Sequence, residues 1–221
     1  LIQALVVFLP ATLCFLSSDI GPVGIRIFFT IKVGRRPLFL LIAIIMAKVV
    51  DLKTYRIRAQ EKRGFGPWQK RFSESYDFRT RLSDISDKTL YYLSQPGEDS
   101  SNAYYEIIMG ILDLGSAIEF HYLDNQDQMR VVDIHLFLAD QLRFEMMRRL
   151  DWIRGFAGCD YSLFEMVQDF DTIKNKCRER PPELARSNAN YSEYSRLTHG
   201  DKEVFIRRML QEALDSFKKR I

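Results

Sequence analysis

Histidine and cysteine are scarce in this chain, three of each in 221 residues. Cys14, Cys159 and Cys177 are odd in number, widely spaced and without a CxxC pair. Neither a disulfide framework nor a structural zinc site is therefore expected, and reduced thiols are. The P-loop and Rossmann glycine patterns, HExxH and GxSxG are all missing, which removes the commonest nucleotide, zinc-protease and α/β-hydrolase fingerprints. The Glu-x-x-His repeats of a di-iron bundle are missing too. There is no repeat at a fixed period and no low-complexity tract.

With so few imidazoles, any histidine mechanism must use His121, His135 or His199. Glu119 with His121 and Asp133 with His135 bring a carboxylate and an imidazole close in sequence. Their spacing is wrong for a shared helix face, since residues two apart diverge by about 200°, whereas metal-binding pairs sit three or four apart. No catalytic residue, metal site or cofactor is expected. A membrane enzyme, or a lipid- or quinone-binding protein with Tyr91, Tyr92, Tyr104, Tyr105, Met146, Met147 and Trp152 near a site between two central helices, is the alternative. Aromatics and methionines at such density are ordinarily core.

What the chain does have is apolar length and an uneven charge. Residues 1–16 and 37–50 are almost unbroken apolar blocks. Sixteen residues rise about 24 Å as a helix, short of the roughly 30 Å hydrocarbon core. Residues 1–63 carry ten Lys and Arg against three Asp and Glu, so this part is +7 and the remainder −4, giving the overall +3. A cationic apolar segment joined to an acidic body fits anionic headgroups on one side and water on the other. Basic and aromatic residues also interleave at Phe65, Trp68, Lys70, Arg71 and Phe72, as in nucleic-acid binders. The long aliphatic runs beside them favour lipid, and no nucleic-acid partner is expected.

Between the blocks, apolar residues at 25, 27, 29, 31 and 33 alternate as in a half-buried strand. A lone strand leaves its backbone unsatisfied in lipid, so it needs a pairing partner or the interface. Pro37 suits the first turn of a helix through the second block. The segment 64–68, Gly-Phe-Gly-Pro-Trp, reads as a hinge, with Phe65 and Trp68 at headgroup level.

From residue 73 the periodicity is helical. Ser83 or Ser86 can cap a helix through Leu93, one long helix is expected over 104–123 and a second over 128–154. Further helices are expected over 163–177 and from 201, the last with Phe205, Met209, Ala213 and Phe217 on one stripe. Residues 178–194 form a polar connection suited to lying over a neighbour.

These readings converge on a mostly α chain: residues 1–63 a membrane-attachment segment of one or two short helices, 64–72 a hinge, and 73–221 a soluble helical bundle. The expected membrane-interface residues are Arg35, Arg36, Lys48, Lys53, Arg56, Arg58, Phe65 and Trp68. The expected role is a non-catalytic interaction subunit of a larger membrane assembly, with other subunits and anionic lipid as partners, no small-molecule substrate, and the C-terminal domain in the cytoplasm.

Overall fold

The computed structural model describes residues 16–21, 24–29, 31–33, 36–38 and 52–221. The chain divides into two units, Leu1–Val50 and Asp51–Ile221. In the first, β1 (Leu16–Gly21) pairs antiparallel with β2 (Gly24–Phe29), Leu16 opposite Phe29 and Gly21 opposite Gly24. A second antiparallel pair joins β3 (Ile31–Val33) to β4 (Arg36–Leu38). The alternation over 25–33 is thus carried by β2 and β3. β2's partner is the segment that reads in the sequence as the end of the first apolar block. Pro37 sits in β4 opposite Lys32 rather than in a helix. The expected helices over 1–15 and 39–50 lie outside the described residues.

The second unit is helical throughout its core. It begins with α1 (Leu52–Phe72), which runs unbroken through the expected hinge, with Pro67 inside it. Ile57, Gln60, Gly64, Phe65, Trp68 and Phe72 recur at three- and four-residue spacing, and this stripe is the buried or half-buried face. The hinge at 64–72 is therefore corrected to a helix interior. Gly64 serves packing: a Cβ on Gly110 of the facing helix would lie 2.6 Å from the backbone of Arg63 and Gly64, so two helices approach with only hydrogens between them.

The helix on the other side of that contact is α3 (Glu98–Leu112). The contacts run Arg63 to Asp113, Gly64 to Gly110 and Trp68 to Ala103, so α1 and α3 are antiparallel. Between them in sequence, α2 (Asp87–Ser94) starts at the Ser86 cap, whose Oγ accepts from the Thr89 N–H. The helix expected over 104–123 ends early. Asp113 adopts φ 63° and Gly115 φ 98°, and a 3-10 turn at Ala117–Tyr122 follows. Apolar spacing continues across this break, which is why periodicity alone runs through it.

α4 (Asn125–Arg149) is the central helix, capped by Asp124 accepting from the Asp127 N–H at 2.8 Å. It stops before Trp152 because Asp151 takes φ 59°. α5 (Leu163–Gln168) carries a Ser162/Glu165 capping box and passes directly into α6 (Phe170–Glu179). The polar connection after α6 packs in part on its own domain: Ile153 bridges Leu184, and Ala185 N donates to Trp152 O at 2.8 Å. The short α7 (Tyr191–Tyr194) buries Tyr194 there. α8 (His199–Arg208) and α9 (Leu210–Lys218) close the domain, with Met209, Ala213 and Phe217 buried as their stripe predicts.

Candidate functional site

Of the expected interface residues, Arg35 and Lys48 lie outside the described residues, and Arg36 pairs with Val33 in the second hairpin. Lys53, Arg56 and Arg58 fall on the first turns of α1, where Arg56 and Arg58 are exposed. Phe65 and Trp68 are corrected: both are fully buried, and Trp68 Nε1 donates to the Ala103 carbonyl at 2.6 Å. Their place on the inward stripe of α1 removes them from any headgroup layer. Aromatic type alone suggested an interface, and helical phase decides against it.

The antiparallel packing carries the first turns of α1 past the end of α3, whereas the 3-10 turn lies back along α3, with Phe120 stacked on Tyr105 at 4.7 Å. Gln128 Nε2 at the start of α4 donates back to the Leu123 carbonyl. Leu52 and Tyr55 on α1, Ile118 and Tyr122 on the turn and Met129 on α4 are 79, 65, 84, 87 and 71% exposed. They are the larger part of the exposed bulky apolar side chains among the described residues. Around them stand Arg56 and Arg58 on α1, and Glu119, Asp124 and Asp127 beside the turn.

The four groups considered for acid/base chemistry do not meet. Glu119 closes a capping box on Ser116, whose backbone N–H and hydroxyl hold its carboxyl below the ordinary range. His121 is exposed against the edge of Phe120. His135 is packed between Tyr104 and Tyr105, with ring centroids 4.9 and 5.3 Å away. Burial and then the Arg143 charge push its pKa down. Asp133 faces a different side of α4. Tyr104, Met146 and Met147 belong to the packed core, as do Ile107, Ile134 and Leu138 from the two central helices.

Asp133 instead borders a cavity of about 380 Å3 between α4, α6, α8 and residues 180–182. Phe137, Phe144 and Phe156 supply its apolar wall, and Gln141 and Cys177 its floor. Arg207 reaches across to Asp140 and to Glu203, the latter at 2.7 Å, and lies over the Phe144 ring. Burial pushes the Cys177 thiol up to about 11 and raises Cys159 as well, so neither is poised as a nucleophile. No local pattern marks this cavity, because its walls come from separate segments, residues 133–144, 156, 174–182 and 203–207.

A second polar cluster stabilises the fold. Glu145, 1% exposed, accepts from Arg148 at 2.7 and 2.8 Å and from Arg149 Nε at 2.9 Å. Arg149 also reaches Asp87 and the Leu82 and Ser83 carbonyls, tying α4 to the start of α2. Among the described residues no group of three or more His, Cys, Asp and Glu could hold a metal ion. Nor is any described helix long and apolar enough to cross a membrane. No family model, no curated protein and no solved structure matches this chain.

Proposed function

We propose that the chain is a membrane-attached, non-catalytic interaction subunit. Its apolar, basic N-terminal segment holds the helical domain at an anionic bilayer, and the domain docks into a larger assembly. The observation that carries this reading is the end of the domain where α1 begins. Leu52 and Tyr55 are exposed there, following in sequence the apolar residues 37–50, and Ile118, Tyr122 and Met129 are exposed on the 3-10 turn and the first turns of α4. Scattered apolar residues are normal on a surface, whereas a concentration of large ones is a contact surface.

Charge supports the lipid partner. α1 has Lys and Arg at seven positions and Glu61 as its only acid. Lys53, Arg56, Arg58 and Lys62 precede its contact with α3, and each cation near an anionic leaflet contributes about 1 kcal/mol. The same basic flank supports a cytoplasmic side for the domain. Ile118 and Tyr122, ringed by Glu119, Asp124 and Asp127, are less suited to anionic headgroups and form the protein-docking part of the surface.

Native electrophoresis of gently solubilised membranes tests the proposal. The full chain is expected in a complex well above its own mass, and Ile118→Glu with Tyr122→Glu releases it while leaving it in the membrane fraction. An interface aromatic contributes 2 kcal/mol or more, roughly a thirtyfold loss of affinity. Migration of the unaltered chain as a free monomer overturns the proposal.

A further inference from the structure

The cavity between α4, α6 and α8 has features of a ligand site that attachment to a membrane does not call for. Its volume of about 380 Å3 falls within the range of small-molecule pockets. Gln141 lines it and is only 4% exposed. The carboxamide oxygen accepts from Cys177 Sγ at 3.8 Å. It also sits where a side chain on Gly158 would overlap it. Among the described residues nothing accepts from the amide nitrogen, so a donor on an otherwise buried side chain is left to the cavity. This nitrogen is open to the cavity rather than sealed among the buried atoms that lack a partner, and a ligand acceptor can bond it in place of solvent.

The charges around the cavity define the ligand. Lys174, Arg178, Arg180 and Arg207 stand against Asp133, Asp140 and Glu203, a net of +1. Arg143 and Arg207 together neutralise Asp140 and Glu203, and Arg180 is turned to Asp160. What remains is Lys174 and Arg178, one turn apart on the same face of α6, with Asp133 opposite on α4. No carboxylate pairs with Lys174 or Arg178 among the described residues; the Lys174 ammonium rests over the Phe170 ring at 4.7 Å. A single negative charge balances this set, and a dianion overshoots it. Phe144 and Phe156 meet edge to face at 5.8 Å and border the same cavity, with the Arg207 guanidinium over the Phe144 ring.

We infer that this cavity binds a small organic monocarboxylate with an aromatic or compact apolar body. The carboxylate meets Lys174 and Arg178, the body lies against Phe137, Phe144 and Phe156, and the Gln141 amide donates to an acceptor on the ligand. The inference is independent of the membrane reading and stands or falls by ligand binding alone.

The test uses the full chain, 15N-labelled and held in detergent micelles. The Gln141 side-chain amide is assigned by its disappearance in Gln141→Leu. Benzoate, phenylacetate and indole-3-acetate are titrated to about 10 mM, with benzamide, acetate and phenyl phosphate as controls. At least one aryl carboxylate is expected to saturate a shift of the Gln141 amide with a Kd under about 1 mM. Benzamide, acetate and phenyl phosphate are expected to bind at least about tenfold more weakly, and Lys174→Gln with Arg178→Gln to weaken the carboxylate about tenfold. Both cations lie at the surface end of the cavity, and the three controls decide on the unaltered protein should that variant fail to fold. Absence of saturation by every carboxylate, equal binding of benzamide, tighter binding of phenyl phosphate, or a folded double variant of unchanged affinity overturns the inference.

Discussion

Replacing Gly110 by alanine tests the packing of α1 on α3 more sharply than any change to a large side chain. The added Cβ would lie 2.6 Å from Arg63 C, Gly64 Cα and Gly64 N, all backbone atoms. No rotamer relieves such a contact, so the helices must separate. Overpacking a well-filled interface costs about 1–3 kcal/mol, and a rigid backbone neighbour puts this site at the upper end. Alanine regains about 1 kcal/mol of helix propensity, leaving a net loss of about 2 kcal/mol. For a domain of this size that is a fall in Tm of about 4–8 °C. Gly64→Ala should cost less, because its nearest neighbour at 2.7 Å is the movable Ile111 Cγ1. Gly200→Ala, with nothing within 4 Å, should be neutral or slightly stabilising. Thermal unfolding followed by far-UV circular dichroism reads all three. A Gly110→Ala protein as stable as the parent would refute the close approach, and the order Gly110, Gly64, Gly200 would have no basis.

Glu145→Gln leaves Arg148 and Arg149 without their shared carboxylate. Breaking a buried pair costs about 3–5 kcal/mol, but Arg149 keeps Asp87 and Arg148 is partly solvated, so about 2 kcal/mol is expected as a lower urea midpoint at unchanged slope. His135, whose folded pKa is depressed, binds its proton more readily when unfolded. Its contribution is complete above about pH 6.5 and is lost as pH falls through the unfolded value towards the folded one. Urea titrations from pH 7.5 to pH 5 (about two and a half units, spanning the ordinary histidine value) should show this slope in the parent and a shallower one in His135→Phe; parallel curves would sink the assignment. Cys177, raised to about 11, should carry roughly 0.1% thiolate at pH 8. Peptide mapping after iodoacetamide should find it alkylated about a hundredfold more slowly in the folded protein than in urea, and equal rates would contradict its burial.

Local signals in the sequence were good guides wherever local chemistry decides structure. The Ser86 cap and the terminal stripe of Met209, Ala213 and Phe217 follow from residue type and spacing. So does the strand alternation over 25–33. The failures share a cause. Gly64, Gly66 and Pro67 are helix breakers by intrinsic preference, yet burial of Phe65 and Trp68 against α3 outweighs propensities of about 1 kcal/mol per glycine. For Arg143, Arg148 and Arg149, spacing along the sequence shows charge but not depth. Arg148 and Arg149 in fact neutralise a buried glutamate, and Arg143 donates to the Ser94 carbonyl. The cavity was illegible for a simpler reason: Asp133, Gln141, Lys174, Arg178 and Arg207 are unremarkable singly, and only the tertiary fold brings them to one space.

Correcting the hinge also changes what the basic residues of α1 can do. On a flexible tether, Lys53, Arg56, Arg58 and Lys62 would report only that the chain is sticky towards anions. On an unbroken helix they are fixed relative to the domain, because the Gly64–Gly110 contact and the Arg63–Asp113 ion pair clamp α1 just after them. From Arg63 back to Leu52 the helix extends about 16 Å, so the cations and the exposed Tyr55 form one rigid projection. Under the proposed attachment, a bilayer that captures those cations also sets the orientation of the domain. Ile118, Tyr122 and Met129 are then held beside the membrane surface, where a membrane-embedded partner can reach them and a soluble one is hindered. A helix that breaks in the middle could not impose that restriction, so under the proposed attachment Gly64 and Gly110 bear on function as well as on stability.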